Sequence, residues 1–116
     1  MIQLSPHMRV FVYVTPVDFR SGIDGLAGVC RSKLGQNPMS GAVFLFINRH
    51  RAAMKLLTFD GQGFVMCHKR LSQGKFKFWP QSTYALTGPQ VLVLLYNGDP
   101  CGSKMAPAWK PLPVPI

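Results

Sequence analysis

Basic side chains gather in three short stretches of this chain: Arg49, His50, Arg51 and Lys55; then His68, Lys69 and Arg70; then Lys75 and Lys77. Lys and Arg on segments that turn back on one another can meet several phosphates at once, and each such contact with a duplex releases counterions. Phe76, Phe78 and Trp79 lie among them and would suit stacking on unpaired bases if turned outward, although their alternation with Lys favours burial. Carboxylates are scarce: Asp18, Asp24, Asp60 and Asp99 are the whole supply. Two-metal phosphoryl transfer needs converging carboxylates. Here Asp18 reads as a cap before a helix, Asp60 as a turn residue, and Asp99 as the start of a proline-rich segment. His7, His50 and His68 have no His-x-x-x-His spacing, no Ser lies in a Gly-x-Ser-x-Gly elbow, and no Walker loop is present. Gly22, Gly25 and Gly28 do not form a dinucleotide fingerprint. The expectation is therefore no catalytic residue, no metal ligands and no cofactor.

The elements that must position the cations follow from periodicity and turn chemistry. Arg9 to Val14 is a β-branched and aromatic run stopped by Thr15-Pro16, hence a strand. Ile23, Leu26, Ala27, Cys30 and Leu34 recur at helical spacing up to Gly35, predicting an amphipathic helix capped by an upstream polar residue. Three glycines near its start lower helix propensity, which close packing against a neighbour would explain. Ala42 to Ile47 and Met54 to Phe59 read as two strands around a basic turn. Asp60-Gly61 then supplies the positive φ of a tight hairpin leading into a strand from Phe64 to Arg70. Lys75 to Trp79 alternates with period two, as a strand with one apolar and one cationic face does. Thr83 to Leu86 suits an edge strand, and a last helix runs from a Thr87 N-cap, with Pro89 in its first turn, to Leu95. The sum is one α+β domain over residues 1–98, an antiparallel β-meander with about two helices packed on it. A proline-rich extended or disordered tail follows over residues 99–116.

A chain of 116 residues suits one domain. Its formal net charge of +9 combined with 47% hydrophobic residues excludes a disordered basic tail, which would lack a core, and predicts a folded domain with a positive surface. The apolar runs reach only six residues, from Ala42 to Ile47 and from Val91 to Tyr96, so no membrane-spanning helix is expected. With no apolar stretch behind a basic one at the start, a cytoplasmic protein is expected. Cys30, Cys67 and Cys101 are odd in number and far apart, unlike a disulfide framework or a Cys-x-x-Cys zinc site.

Several motifs carry a resemblance in collinear order. They are Asp18-x-Arg20-x-Gly22-x-Asp24-Gly25-Leu26, Gly41-x-x-Phe44-x-Phe46 with Asn48-Arg49-x-Arg51 and Lys55, and Leu57-x-x-Asp60-Gly61-x-Gly63. Lys69-Arg70-Leu71, Gly74-x-Phe76 and Trp79-Pro80 complete the set. From about Val10 to Asn97 the chain resembles the second-reading-frame accessory proteins, often called TnpB, of the IS66 family of bacterial insertion sequences. It departs from their pattern at Ser72-Gln73, where an acidic residue is common, and at Gly88-Pro89, where the usual Thr-Pro is shifted by one. The resemblance implies a small non-catalytic protein that assists transposition beside a separate, larger transposase. The charge and the basic hairpins add the expectation that DNA is bound through Arg49, Arg51, Lys55, Lys69, Arg70, Lys75 and Lys77. Asp18, Arg20 and Asp24 are the candidate contacts to the transposase or the element's other accessory protein, set against the preferred reading that Asp18 and Arg20 pair locally to fix the strand-to-helix corner. The alternative is a protein-interaction module that docks on the transposase without recognising DNA.

Overall fold

The computed structural model describes residues 8–81, 85–86 and 88–98. In chain order the elements are β1 (Val10–Val12), α1 (Ile23–Ser32), β2 (Val43–Ile47), β3 (Ala53–Phe59), β4 (Phe64–Arg70), β5 (Ala85–Leu86) and α2 (Gly88–Leu95). They build one five-stranded sheet in the order β4-β3-β2-β1-β5. From β2 to β4 it is the expected antiparallel meander, with Phe44 opposite Leu57 and Lys55 opposite His68. The expectation of an all-antiparallel sheet is corrected at β1, which runs parallel to β2 with Val10 opposite Val43 and Val12 opposite Leu45. Because α1 lies between those two strands, it carries the chain back along the sheet, so both strands start from the same end.

Every residue of β2 is buried, without the alternation of a strand wet on one side. The cause is a cover on both faces. Phe44 and Phe46 pack with Leu57 against Leu26, Ala27 and Cys30 of α1, while Val43, Leu45 and Ile47 pack on the opposite face with Val91 and Leu94 of α2. That second core also takes Phe76 and Trp79. β4 is an edge strand with alternating exposure, and its half-buried Phe64 and Cys67 pack against the two cores.

Three local expectations are corrected. The segment from Lys75 to Trp79 is irregular rather than a strand. Its Phe76 N–H donates to Arg51 O at 2.8 Å, and the Trp79 indole donates to Tyr13 O at 3.1 Å. Phe76 and Trp79 are nonetheless buried, at 2% and 5% exposure, because this loop closes the second core between β4 and β5. Next, α1 has Gly22 as its N-cap with no side-chain hydrogen bond, so Asp18 is not a helix cap. Finally, close packing accounts for only one of the three glycines: a Cβ on Gly25 would meet the Ser21 side chain at 2.9 Å, whereas Gly22 and Gly28 have open space.

The helix ends do follow turn chemistry. Gly35, at φ 61°, takes the chain out of the α1 segment. Asn97, at φ 62°, ends α2 with the paired Asn97 N–H to Leu94 O and Gly98 N–H to Val93 O bonds of a Schellman motif. Thr83, Tyr84, the expected Thr87 cap and the tail from residue 99 lie outside the described residues. Among the described residues no helix is long and apolar enough to cross a membrane.

Candidate nucleic-acid interface

Strands β1 and β2 end, β3 begins and β4 ends on the same side of the sheet, and the predicted cations collect there. Asn48 closes the β2–β3 turn: its Oδ1 accepts from the N–H groups of Ala52 and Ala53 at 3.0 and 3.2 Å, and its carbonyl accepts from Arg51 N–H. Arg49, His50 and Arg51 ride exposed on that turn. Arg51 adopts φ 59°, a left-handed conformation costing roughly 1–2 kcal/mol for an L-residue with a Cβ. The loop after β4 is stitched to this turn by Leu71 N–H to Ala52 O and Phe76 N–H to Arg51 O, both 2.8 Å. From the other side Asn97 clamps the loop, accepting from Lys77 N–H at 2.8 Å and donating through Nδ2 to Lys75 O at 3.0 Å. With their backbones tied in this way, Lys75 and Lys77 hold exposed side chains beside the turn, and Arg70 projects from the end of β4 opposite Ala53.

Five of the seven predicted DNA-binding cations, Arg49, Arg51, Arg70, Lys75 and Lys77, are thus brought to one end of the sheet. The other two are placed differently. Lys55, in the middle of β3, is buried, and its ammonium donates to Phe19 O at 2.8 Å and Ser21 O at 3.4 Å while lying 4.8 Å from the Phe19 ring. It holds the corner between β1 and α1 to the sheet and cannot reach a phosphate from there. Lys69 is half-buried with Nζ 4.8 Å over the Tyr96 ring, and burial lowers its pKa from the ordinary value.

Asp18 and Arg20, candidate partner contacts read in preference as a local pair, stand at this same end and do pair. A parallel bridge from Val17 to Asn48 joins their corner to the β2–β3 turn. The Arg20 guanidinium grips the Asp18 carboxylate through Nε at 3.2 and 3.0 Å and Nη2 at 2.7 Å, and the Arg20 backbone N–H adds a fourth bond. Those hydrogen bonds pull the Asp18 pKa down to about 2, with a smaller Coulombic contribution from Arg49. Asp24 is exposed in the first turn of α1. Asp18–Arg20 is the one ion pair among the described residues, and none of the five gathered cations takes part in it.

The sequence reading missed a cleft of about 390 Å³ between the two stitched loops, lined by Val14, Arg51, Phe76, Lys77, Trp79, Pro80 and Gln81. Only the Asn48-Arg49-x-Arg51 and Phe76–Trp79 motifs hint at it, and their proximity is a tertiary fact. No group of three or more His, Cys, Asp and Glu that could hold a metal ion occurs among the described residues.

Comparison with known proteins places the chain in context. Residues 8–102 match the model for IS66 Orf2-like proteins. The uncharacterized protein y4jC of Sinorhizobium fredii (strain NBRC 101917 / NGR234) is 35% identical over 99 residues, covering 84% of this chain and 85% of the relative. The uncharacterized protein y4hO of the same strain is 31% identical over 102 residues, covering 85% and 88%. No solved structure matches.

Proposed function

This chain belongs to the IS66 Orf2-like family of insertion-sequence proteins, and on that premise we propose that it is a non-catalytic transposition accessory protein that holds DNA by its phosphates through the basic end of the sheet. The observation that supports this most is the convergence of Arg49, Arg51, Arg70, Lys75 and Lys77 from three separate stretches of chain onto loops tied together by backbone hydrogen bonds. Loops held rigidly lose little entropy on meeting a phosphodiester backbone, so charge set out this way binds better than the same charge on a free tail.

Fluorescence anisotropy tests the reading, with a terminal-repeat duplex of the element and a shuffled duplex titrated at several salt concentrations. Arg49→Ala with Arg51→Ala removes two phosphate contacts and should reduce the slope of log affinity against log salt by about 1.8. Arg31→Ala with Lys33→Ala, at the far end of α1, should leave it unchanged. A preference for the repeat that survives higher salt assigns sequence recognition to this protein as well. No binding to either duplex refutes the DNA reading and leaves docking on the transposase, for which co-purification of Arg20→Ala is the next measurement.

A further inference from the structure

The cleft between the two basic loops has a chemistry that backbone binding does not use. We propose that it receives a single unpaired nucleotide of the bound DNA, an inference that rests on the DNA-binding reading and deepens it. Size comes first. About 390 Å³ matches one nucleotide and lies within the range of small-ligand sites, whereas a duplex cannot enter. The walls come second. Arg51 from the β2–β3 turn and Lys77 from the loop after β4 supply cations for a phosphate. Val14 contributes an apolar flank beside the nearly buried Phe76, Trp79 and Pro80, and the exposed Gln81 offers an amide that can both donate and accept at a base edge.

The third observation is how firmly the cleft is built. Arg51 is kept in a left-handed conformation while its carbonyl is bound by Phe76 N–H. The Trp79 indole is fixed by Tyr13 O, and Lys77 is tethered through its backbone to Asn97. A non-glycine residue persists at positive φ only where its surroundings over-determine it, and such residues concentrate at ligand sites. A surface meant only to touch duplex phosphates needs no recess with an amide at its rim.

The test compares a blunt, fully paired duplex with the same duplex carrying a three-nucleotide single-stranded overhang, using the full chain. A Trp109→Phe background leaves Trp79 as the only indole. The overhang should bind at least about fivefold tighter than the blunt end and shift the Trp79 emission. Gln81→Leu, an exposed and nearly isosteric change, should reduce that preference while leaving blunt-duplex affinity intact. Equal affinity for the two ends with unchanged emission overturns the nucleotide site and leaves the phosphate-binding end standing. Failure of both duplexes to bind at low salt overturns both readings.

Discussion

Lys55 separates a structural cation from a binding one. Its ammonium makes one short charged hydrogen bond, 2.8 Å to Phe19 O, and a long one, 3.4 Å to Ser21 O, and it rests on the Phe19 ring at 4.8 Å. A hydrogen bond to a charged group contributes about 1.5–3 kcal/mol, and a partly desolvated cation–π contact adds about 1 kcal/mol. Lys55→Met keeps the aliphatic stem packed, loses both contacts and relieves the cost of burying an ammonium, which offsets a sizeable part of the loss. The net expectation is destabilisation by about 2 kcal/mol, or roughly 8–16 °C in Tm for a domain near 100 residues. Circular-dichroism melting measures it, and anisotropy on the folded variant at 10 °C supplies the second half of the test. Affinity and salt slope should match the unaltered chain, since Lys55 is only 6% exposed. A variant that melts normally but loses about one unit of salt slope would refute this assignment and restore Lys55 to the interface.

Two further expectations concern the loops and the corner. Asn97→Gly relaxes a positive-φ position but removes the two side-chain bonds to Lys75 and Lys77. The lost bonds outweigh the gain, so stability should fall by about 0.5–1 kcal/mol, and a rise in denaturation midpoint would show that the clamp does not hold the loop. Asp18 has its folded pKa depressed, from 3.8 to about 2, chiefly by the Arg20 side-chain hydrogen bonds. Its contribution is present above pH 4 and is lost as pH falls toward 2. An NMR titration of the Asp18 carboxyl should show that low midpoint, and Arg20→Ala should return it to the ordinary range; a normal midpoint in the unaltered chain means that the ion pair is not formed in solution.

Much of the scaffold was legible from local patterns. The apolar run Val43–Ile47, the Asp60-Gly61 turn and the spacing of Leu26, Ala27 and Cys30 each specify an element within a few residues, because turn dihedrals and helical or extended periodicity are short-range properties. The Lys75–Trp79 alternation misled for a related reason. The alternation is equally open to a loop, in which the buried pair is Phe76 and Trp79, three residues apart, and whether a sheet edge is available to such a segment depends on strands elsewhere. The parallel pairing of β1 was likewise hidden, since strand direction is decided by how α1 crosses the sheet.

The candidate site divides along the same line. Sequence alone determined that the protein folds, carries an excess of cations and places most of them at turns and strand ends. Tertiary structure decided which of them act together: backbone bonds between the β2–β3 turn and the loop after β4 join Arg49 and Arg51 to Lys75 and Lys77 and open the cleft between them. It also withdrew Lys55, by folding over it a corner 34–36 residues earlier in the chain. A cation's identity is fixed by its codon, but its exposure is set by what the rest of the chain packs against it, and register between distant segments is not written in any one of them.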